Sequence, residues 1–178
     1  MPMTILLNSP GLILRVAKSA MAAAIAVLFS IIAFGNITDY GTNFAFVQHV
    51  MSMDTLFPTT TITYRAITSP TLHHIAYNAI IATEILIALL CWLGALALLR
   101  SLRAPAERFR RAKSLVIAGL ALGFLLYQFG FITIGGEWFG MWMSQHWNGV
   151  PDAFHYLMVT IAVLIFVAMP EGEIADAE

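Results

Sequence analysis

Four long blocks of apolar residues divide the chain, and their lengths predict four membrane-spanning helices. A helix needs about 20 mostly apolar residues to cross ~30 Å of hydrocarbon, because each residue advances it by about 1.5 Å. The blocks cover about residues 12–34, 75–99, 114–134 and 153–169. The predicted fold class is therefore an all-α membrane protein, with one four-helix bundle over residues 1–170 and an acidic, disordered tail at 171–178.

The segment between the first two blocks, residues 35–74, is too long to be a simple turn and is predicted to fold into a cap over the bundle. Residues 59–68 are rich in Thr and Ile, which favours a short β-element. Apolar residues at near-helical spacing predict an interfacial helix lying on the membrane surface before it. These are Phe46, Val50, Met53 and Phe57.

Composition supports the membrane interpretation and removes several function classes. Of the 178 residues, 60% are hydrophobic and 11% are charged, whereas a soluble domain usually carries about 25% charged residues. The net charge of −1 gives no indication of nucleic-acid binding. The one cysteine, Cys91, excludes an intramolecular disulfide and a thiol–disulfide exchange pair.

The basic residues predict the orientation of the chain in a bacterial inner membrane. Eight of the nine Lys and Arg residues lie at the start of the first block or at 100–113, and only Arg65 falls on the other side. The positive-inside rule then places both termini in the cytoplasm. The basic loop is interpreted as a topology signal that also attracts anionic lipid headgroups; a docking site for a cytoplasmic partner is the alternative. The first block is long enough to be a retained anchor rather than a cleaved signal peptide.

An acidic residue inside the second block, Glu84, is the clearest candidate for an intramembrane polar site. A carboxylate in hydrocarbon costs several kcal/mol unless it is paired or protonated, so such residues are functional candidates. It could serve a proton or cation carrier, or pair structurally with Gln128 or Tyr127. Three polar side chains are expected to continue the site as a stripe towards the exterior surface: His74, Tyr77 and Asn78.

The histidines all fall on the predicted exterior side, which suggests a metal or haem site as an alternative. The candidates are His49, His74, His146 and His155. The spacing lacks any metal-binding motif, so the preferred interpretation is interfacial histidines and no cofactor.

Glycines and tryptophans indicate packing and anchoring positions. Gly119 and Gly123 form a G-x-x-x-G pair that permits close helix approach, within the bundle or in a homo-oligomer. Trp138, Trp142 and Trp147 are expected at headgroup level, with the first two on one helix face because they are four residues apart.

Two blocks outside the spans carry a family resemblance. Residues 39–55 (DYGTNFAFVQHVMSMDT) and 135–149, which include GGEWF, MW and WNG, resemble a bacterial family of small integral membrane proteins. Met143 stands where that pattern would have Gln. The resemblance implies four helices, a bacterial inner membrane and a domain of unknown function, without an activity.

Three functions follow, in order of preference. The first is a non-catalytic accessory protein whose exterior cap contacts a membrane-protein partner or lipid. The second is a redox or metal module built on the exterior histidines. The third is a small carrier centred on Glu84. Four helices would have to dimerise to enclose a path, and the sequence shows no discontinuous-helix signature of a midplane site.

Overall fold

The computed structural model describes residues 10–171, and its framework is four apolar helices long enough to cross a membrane. The described part of the chain contains no β-strand, so the predicted all-α bundle is confirmed. Four helices make up the first, second and fourth spans and the start of the third: α1 (Pro10–Thr38), α3 (Pro70–Arg100), α5 (Ser114–Leu125) and α6 (Val150–Ala168). Two shorter helices connect them: α2 (Tyr40–Ser52) and α4 (Ala106–Ala112).

The bundle packs in a ring, in which α1 lies against α3, α3 against α5, and α5 against α6. Its centre is filled by Phe29, Ile87, Leu120 and Val167, which are all fully buried. Large apolar side chains also cover the outside, among them Phe34 at 68% exposure. An apolar exterior would be unfavourable in water, and it is the surface that a helical bundle presents to lipid.

The third span changes its hydrogen-bonding pattern halfway along its length. After α5 the chain continues as a π-helix, Leu126–Trp138, called here the π segment. Its wider turn is marked by the bond from the Phe139 amide to the Ile134 carbonyl at 3.0 Å, five residues back. π-Helical turns are usually short and are common at functional sites. The predicted helix at 114–134 therefore extends to Trp138, and its second half is wider than expected.

The predicted β-element at residues 59–68 is wrong. This stretch contains a 3₁₀ turn, Ile62–Arg65, and then runs along α2, where the Ile67 amide donates to the Met51 carbonyl at 2.8 Å. β-Branched residues favour extended backbone, but a strand also needs a partner strand to satisfy its amides and carbonyls. Among the described residues, this segment bonds to the end of the helix α2 and not to another strand.

The predicted acidic tail at 171–178 falls, apart from Glu171, outside the described residues.

Candidate functional site

Residues 39–69 and 139–149, together called the cap, cover the end of the bundle where α1 ends and α3 begins. Helix α2 buries Val47 and Met51 against Phe139 and against Tyr77 and Ile81 of α3. The cap thus has an apolar core of its own, which is continuous with the upper part of α3. Of the four residues on which the interfacial helix was predicted, Phe46 and Val50 lie in the helix α2, Met53 follows its end, and Phe57 lies beyond it and is exposed.

Polar contacts join the two segments of the cap. His49 Nδ1 lies 2.9 Å from Asp54 Oδ2, and the His49 ring stacks on Trp147 with centroids 4.5 Å apart. The Thr55 and Ser144 hydroxyls are 2.8 Å apart, and Ser144 Oγ accepts the Trp147 amide at 3.0 Å. These contacts fix the residue 139–149 loop to the chain that follows α2.

A stack of aromatic rings connects α2 to α3. The His74 ring lies parallel to Phe44 with centroids 4.1 Å apart, and His74 Nδ1 is 2.9 Å from the Tyr40 hydroxyl. Tyr40 in turn meets the edge of Tyr77, with centroids 4.8 Å apart. His74 is therefore held as an aromatic packing residue of the cap.

The three candidate tryptophans occupy different places. Trp138 ends the π segment and is half exposed, whereas Trp142 lies in a separate 3₁₀ turn, Met141–Met143. The expectation that these two share a helix face is wrong, because Gly140 lies between them at φ +67° and separates the π segment from the 3₁₀ turn. Trp147 packs on His49.

Arg65 contacts the end of the π segment. Its Nη1 donates to the Trp138 carbonyl at 3.3 Å, and its guanidinium carbon lies 4.9 Å from the centre of the Trp138 ring. The pair fixes the 3₁₀ turn of the cap to the third span, through a hydrogen bond and a cation–π contact.

Glu84 lies between α1 and α3, with only 2% of its surface exposed. Asn36 Nδ2 donates to Glu84 Oε2 at 2.7 Å, and the Tyr77 hydroxyl donates to the Asn36 carbonyl at 3.0 Å. The side-chain hydrogen bond observed for Glu84 is therefore to Asn36, and the suggested pairing with Gln128 or Tyr127 is wrong. Tyr127 instead stacks on Tyr156, with centroids 5.1 Å apart.

The polar stripe on α3 differs from the prediction in two of its members. His74 and Asn78 are exposed on the outer face, whereas His73, Tyr77 and Glu84 are buried on the inner one. His73 Nε2 lies 2.6 Å from the Ile67 carbonyl, which fastens the end of the cap to α3. The exact helical phase decides between neighbouring residues, and a one-residue error put the exposed His74 in the predicted stripe in place of the buried His73.

The candidate metal or haem ligands do not converge. His49 and His74 are engaged within the cap as described, and His146 and His155 are exposed. Across residues 10–171 no three His, Cys, Asp or Glu side chains are grouped as metal ligands would be.

The glycine pair of α5 lies where neighbouring helices approach closely. A Cβ on Gly119 would stand 2.8 Å from Cys91 Sγ of α3. A Cβ on Gly123 would stand 3.2 Å from both Phe29 of α1 and Thr160 of α6. Both glycines thus lie at contacts between helices of one bundle.

The opposite end of the bundle contains a buried ionic cluster that the sequence analysis did not anticipate. Glu171 Oε2 lies 2.6 Å from both Lys18 Nζ and Lys113 Nζ, and all three side chains are nearly inaccessible. Burial alone would raise the pKa of the Glu171 carboxyl, but hydrogen bonds from Lys113 and Lys18 hold it below its usual range.

Arg15 is also fully buried at this end. Its guanidinium donates to the Leu102 and Ala104 carbonyls at 3.1 and 2.5 Å and lies over the Phe109 ring. Three cations interpreted as topology signals and headgroup ligands (Arg15, Lys18 and Lys113) therefore face the protein. The exposed basic residues of this end include Arg108, Arg110 and Arg111.

The four apolar spans, their lipid-facing surface and the buried polar contacts between them define an integral membrane protein with a helical bundle and a folded cap. A family model described as "Predicted small integral membrane protein (DUF2165)" matches residues 14–170, and the chain belongs to this family. The resemblance seen in the cap residues is thereby confirmed. Comparisons with the curated proteins and with the solved structures gave no match.

Proposed function

We propose that this chain is a non-catalytic accessory protein of a bacterial inner membrane whose cap contacts a partner membrane protein on the exterior side. The orientation rests on the positive-inside rule, since eight of the nine basic residues lie at the end opposite the cap. Both termini then face the cytoplasm.

The observation that supports a partner is a set of exposed aromatic side chains on a folded cap. Tyr64 is 78% exposed, and Trp142 and Phe57 are close to half exposed, with their rings in edge contact. Tyr, Trp and Arg are the residues most enriched where proteins contact one another. Anchoring in lipid headgroups is the other use of such residues, and the experiment separates the two.

Site-specific photocross-linking in living bacteria tests the proposal. A photoreactive amino acid at Tyr64 or Trp142 should give one defined protein adduct, since both side chains project from the cap. The matched control is Ile31, an exposed residue in the middle of α1, which should give lipid adducts only.

Two results would contradict the accessory function. One is that Tyr64 and Trp142 cross-link only to lipid, as Ile31 does. The other is that the protein purifies as a clean monomer in several mild detergents. A cross-link between two copies of the chain would identify the partner as a homo-oligomer.

A carrier centred on Glu84 is a second candidate, and the burial of this acid in an apolar bundle favours it. Replacing Glu84 with Gln should abolish proton-coupled flux in reconstituted vesicles, whereas Glu137→Gln, at an exposed position of the π segment, should not. Equal flux in the wild type and Glu84→Gln would reject the carrier while leaving the accessory function intact.

A further inference from the structure

An apolar cavity of about 380 Å³ lies between α2, α3 and the π segment. Its walls are formed by side chains such as Met51 of α2, Ala76 and Ile80 of α3, Phe131 of the π segment and Met141 of the cap. Its volume is within the range of cavities that bind small ligands, which is about 300–1,000 Å³.

The wide turns of the π segment and two glycines create this space. Gly130 and Gly135 line the cavity, and a Cβ on Gly130 would have its nearest neighbour at an ordinary 3.8 Å. A void of this size with hydrocarbon walls is costly to leave empty, because its lining loses van der Waals contacts. Water is a poor filling, since these walls offer few hydrogen-bond partners. The cavity therefore suits a hydrocarbon ligand.

The cavity opens beside exposed lining residues, Ile134 and Trp138 at the end of the third span. Arg65 lies over the Trp138 ring, so a guanidinium stands at this opening. A guanidinium has five N–H groups, and the hydrogen bonds described for Arg65 use two of them, to the Tyr64 hydroxyl and the Trp138 carbonyl. Among the described residues no ion pair joins Arg65 to the neighbouring Glu137.

We propose that this cavity holds one acyl chain of a bilayer phospholipid, with the lipid phosphate bound at Arg65. The chain chemistry matches the walls, and a guanidinium forms strong charge-assisted hydrogen bonds with phosphate oxygens. The position of the cavity and of Arg65 also fits a phospholipid, since the end of a span is where the headgroups meet the acyl region of the bilayer. This binding site is independent of any partner protein on the cap.

A photoactivatable phospholipid tests the site without changing the protein. In nanodiscs of phosphatidylglycerol doped with a lipid whose acyl chain carries a diazirine, adducts are expected on Met141 and Phe139. These side chains line the cavity but are only 2% and 6% exposed, so lipids around the bundle do not reach them. Labelling confined to outward-facing residues such as Phe129 would overturn the proposal.

Cavity-filling variants test it by binding. By native mass spectrometry, delipidated wild type is expected to bind one added molecule of dioleoyl phosphatidylglycerol, whereas Ala76→Leu should not bind it. Ala79→Leu makes the same change on the outer face of α3 and should bind as the wild type does. If Ala76→Leu fails to fold, Gly130→Leu fills the cavity from the opposite wall.

Arg65 variants and a second ligand test the phosphate contact. Arg65→Gln should weaken binding about tenfold or more, the size expected for a charge-assisted hydrogen bond, and Arg65→Lys should restore part of it. Retention that is equal in Ala76→Leu, Ala79→Leu and the wild type would overturn the site. Preferential binding of oleate over the phospholipid would overturn the identity of the ligand.

Discussion

Asn36 satisfies the one acid inside the second span, and it does so from another helix, across the contact between α1 and α3. Glu84 is conspicuous in the sequence because it is an acid in an apolar block. Asn36 is not conspicuous, because it lies just after the first block among ordinary polar residues. Which side chains meet between helices depends on their relative rotation and depth, and neither is encoded in the apolar pattern of one segment.

Replacing Asn36 with Ala should destabilise the bundle by about 1–3 kcal/mol, the cost of leaving a buried polar group unsatisfied. The control is Asn78→Ala, which removes an exposed amide from α3 and should have almost no effect. The free energy of unfolding in detergent measures both. If the two variants had equal free energies of unfolding, the contact between Asn36 and Glu84 would not contribute to stability.

Replacing Glu171 with Gln should destabilise the protein by about 3 kcal/mol at neutral pH, because Lys18 and Lys113 would be buried without their anion. The folded-state pKa of Glu171 is lowered, so its stabilisation is present above the unfolded-state pKa of about 4.3 and disappears as the pH falls further. The difference in melting temperature between wild type and Glu171→Gln should therefore shrink below about pH 4.

The exposed acid Glu107, which pairs with Arg110 and Arg111 on the surface of α4, provides the control for this experiment. Glu107→Gln should change stability little at any pH, because solvent screens exposed ion pairs. A stability gap for Glu171→Gln that persists unchanged at pH 3 would show that charge pairing is not its cause.

Among the elements, α5 and α3 approach each other closely at Gly119. Gly119→Ala places a Cβ 2.8 Å from Cys91 Sγ, and separating the helices should cost about 1–3 kcal/mol. Gly35→Ala in α1 meets nothing within 4 Å and should be neutral or slightly stabilising, since Ala is the better helix former. Melting temperatures in one detergent compare the two variants, and equal values would contradict tight packing at Gly119.

The elements also show where sequence patterns are informative. The apolar blocks predicted the four spans because length and hydropathy suffice to define a helix in lipid. They did not predict the π segment, because α and π turns have the same composition and differ in which carbonyl each amide reaches. Residues 59–68 were misread as a β-element from local propensity, which tertiary contacts such as the bond between Ile67 and Met51 override.

For the whole molecule, the two ends of the bundle differ in the chemistry that closes them. One end buries Lys18, Lys113 and Arg15 around Glu171 and backbone carbonyls, and the other buries apolar and aromatic side chains of the cap. The positions of these charges in the sequence predicted the topology, but the prediction had them facing lipid headgroups. Long-range pairing between residues 18, 113 and 171 became visible only in the folded bundle.

The orientation of the molecule can be measured with single cysteines and a membrane-impermeant maleimide. Gln145→Cys in the cap should react in intact spheroplasts, whereas Arg108→Cys at the basic end should react only after the membrane is permeabilised. Both residues are exposed, so accessibility across the bilayer is the only difference expected between them. Native Cys91 is fully buried and should remain silent in each variant. Labelling of Arg108→Cys in intact spheroplasts would show that the orientation is the reverse of the one proposed. The aromatic cap and the opening at Arg65 would then lie on the cytoplasmic side, and the proposed partner would have to be sought there.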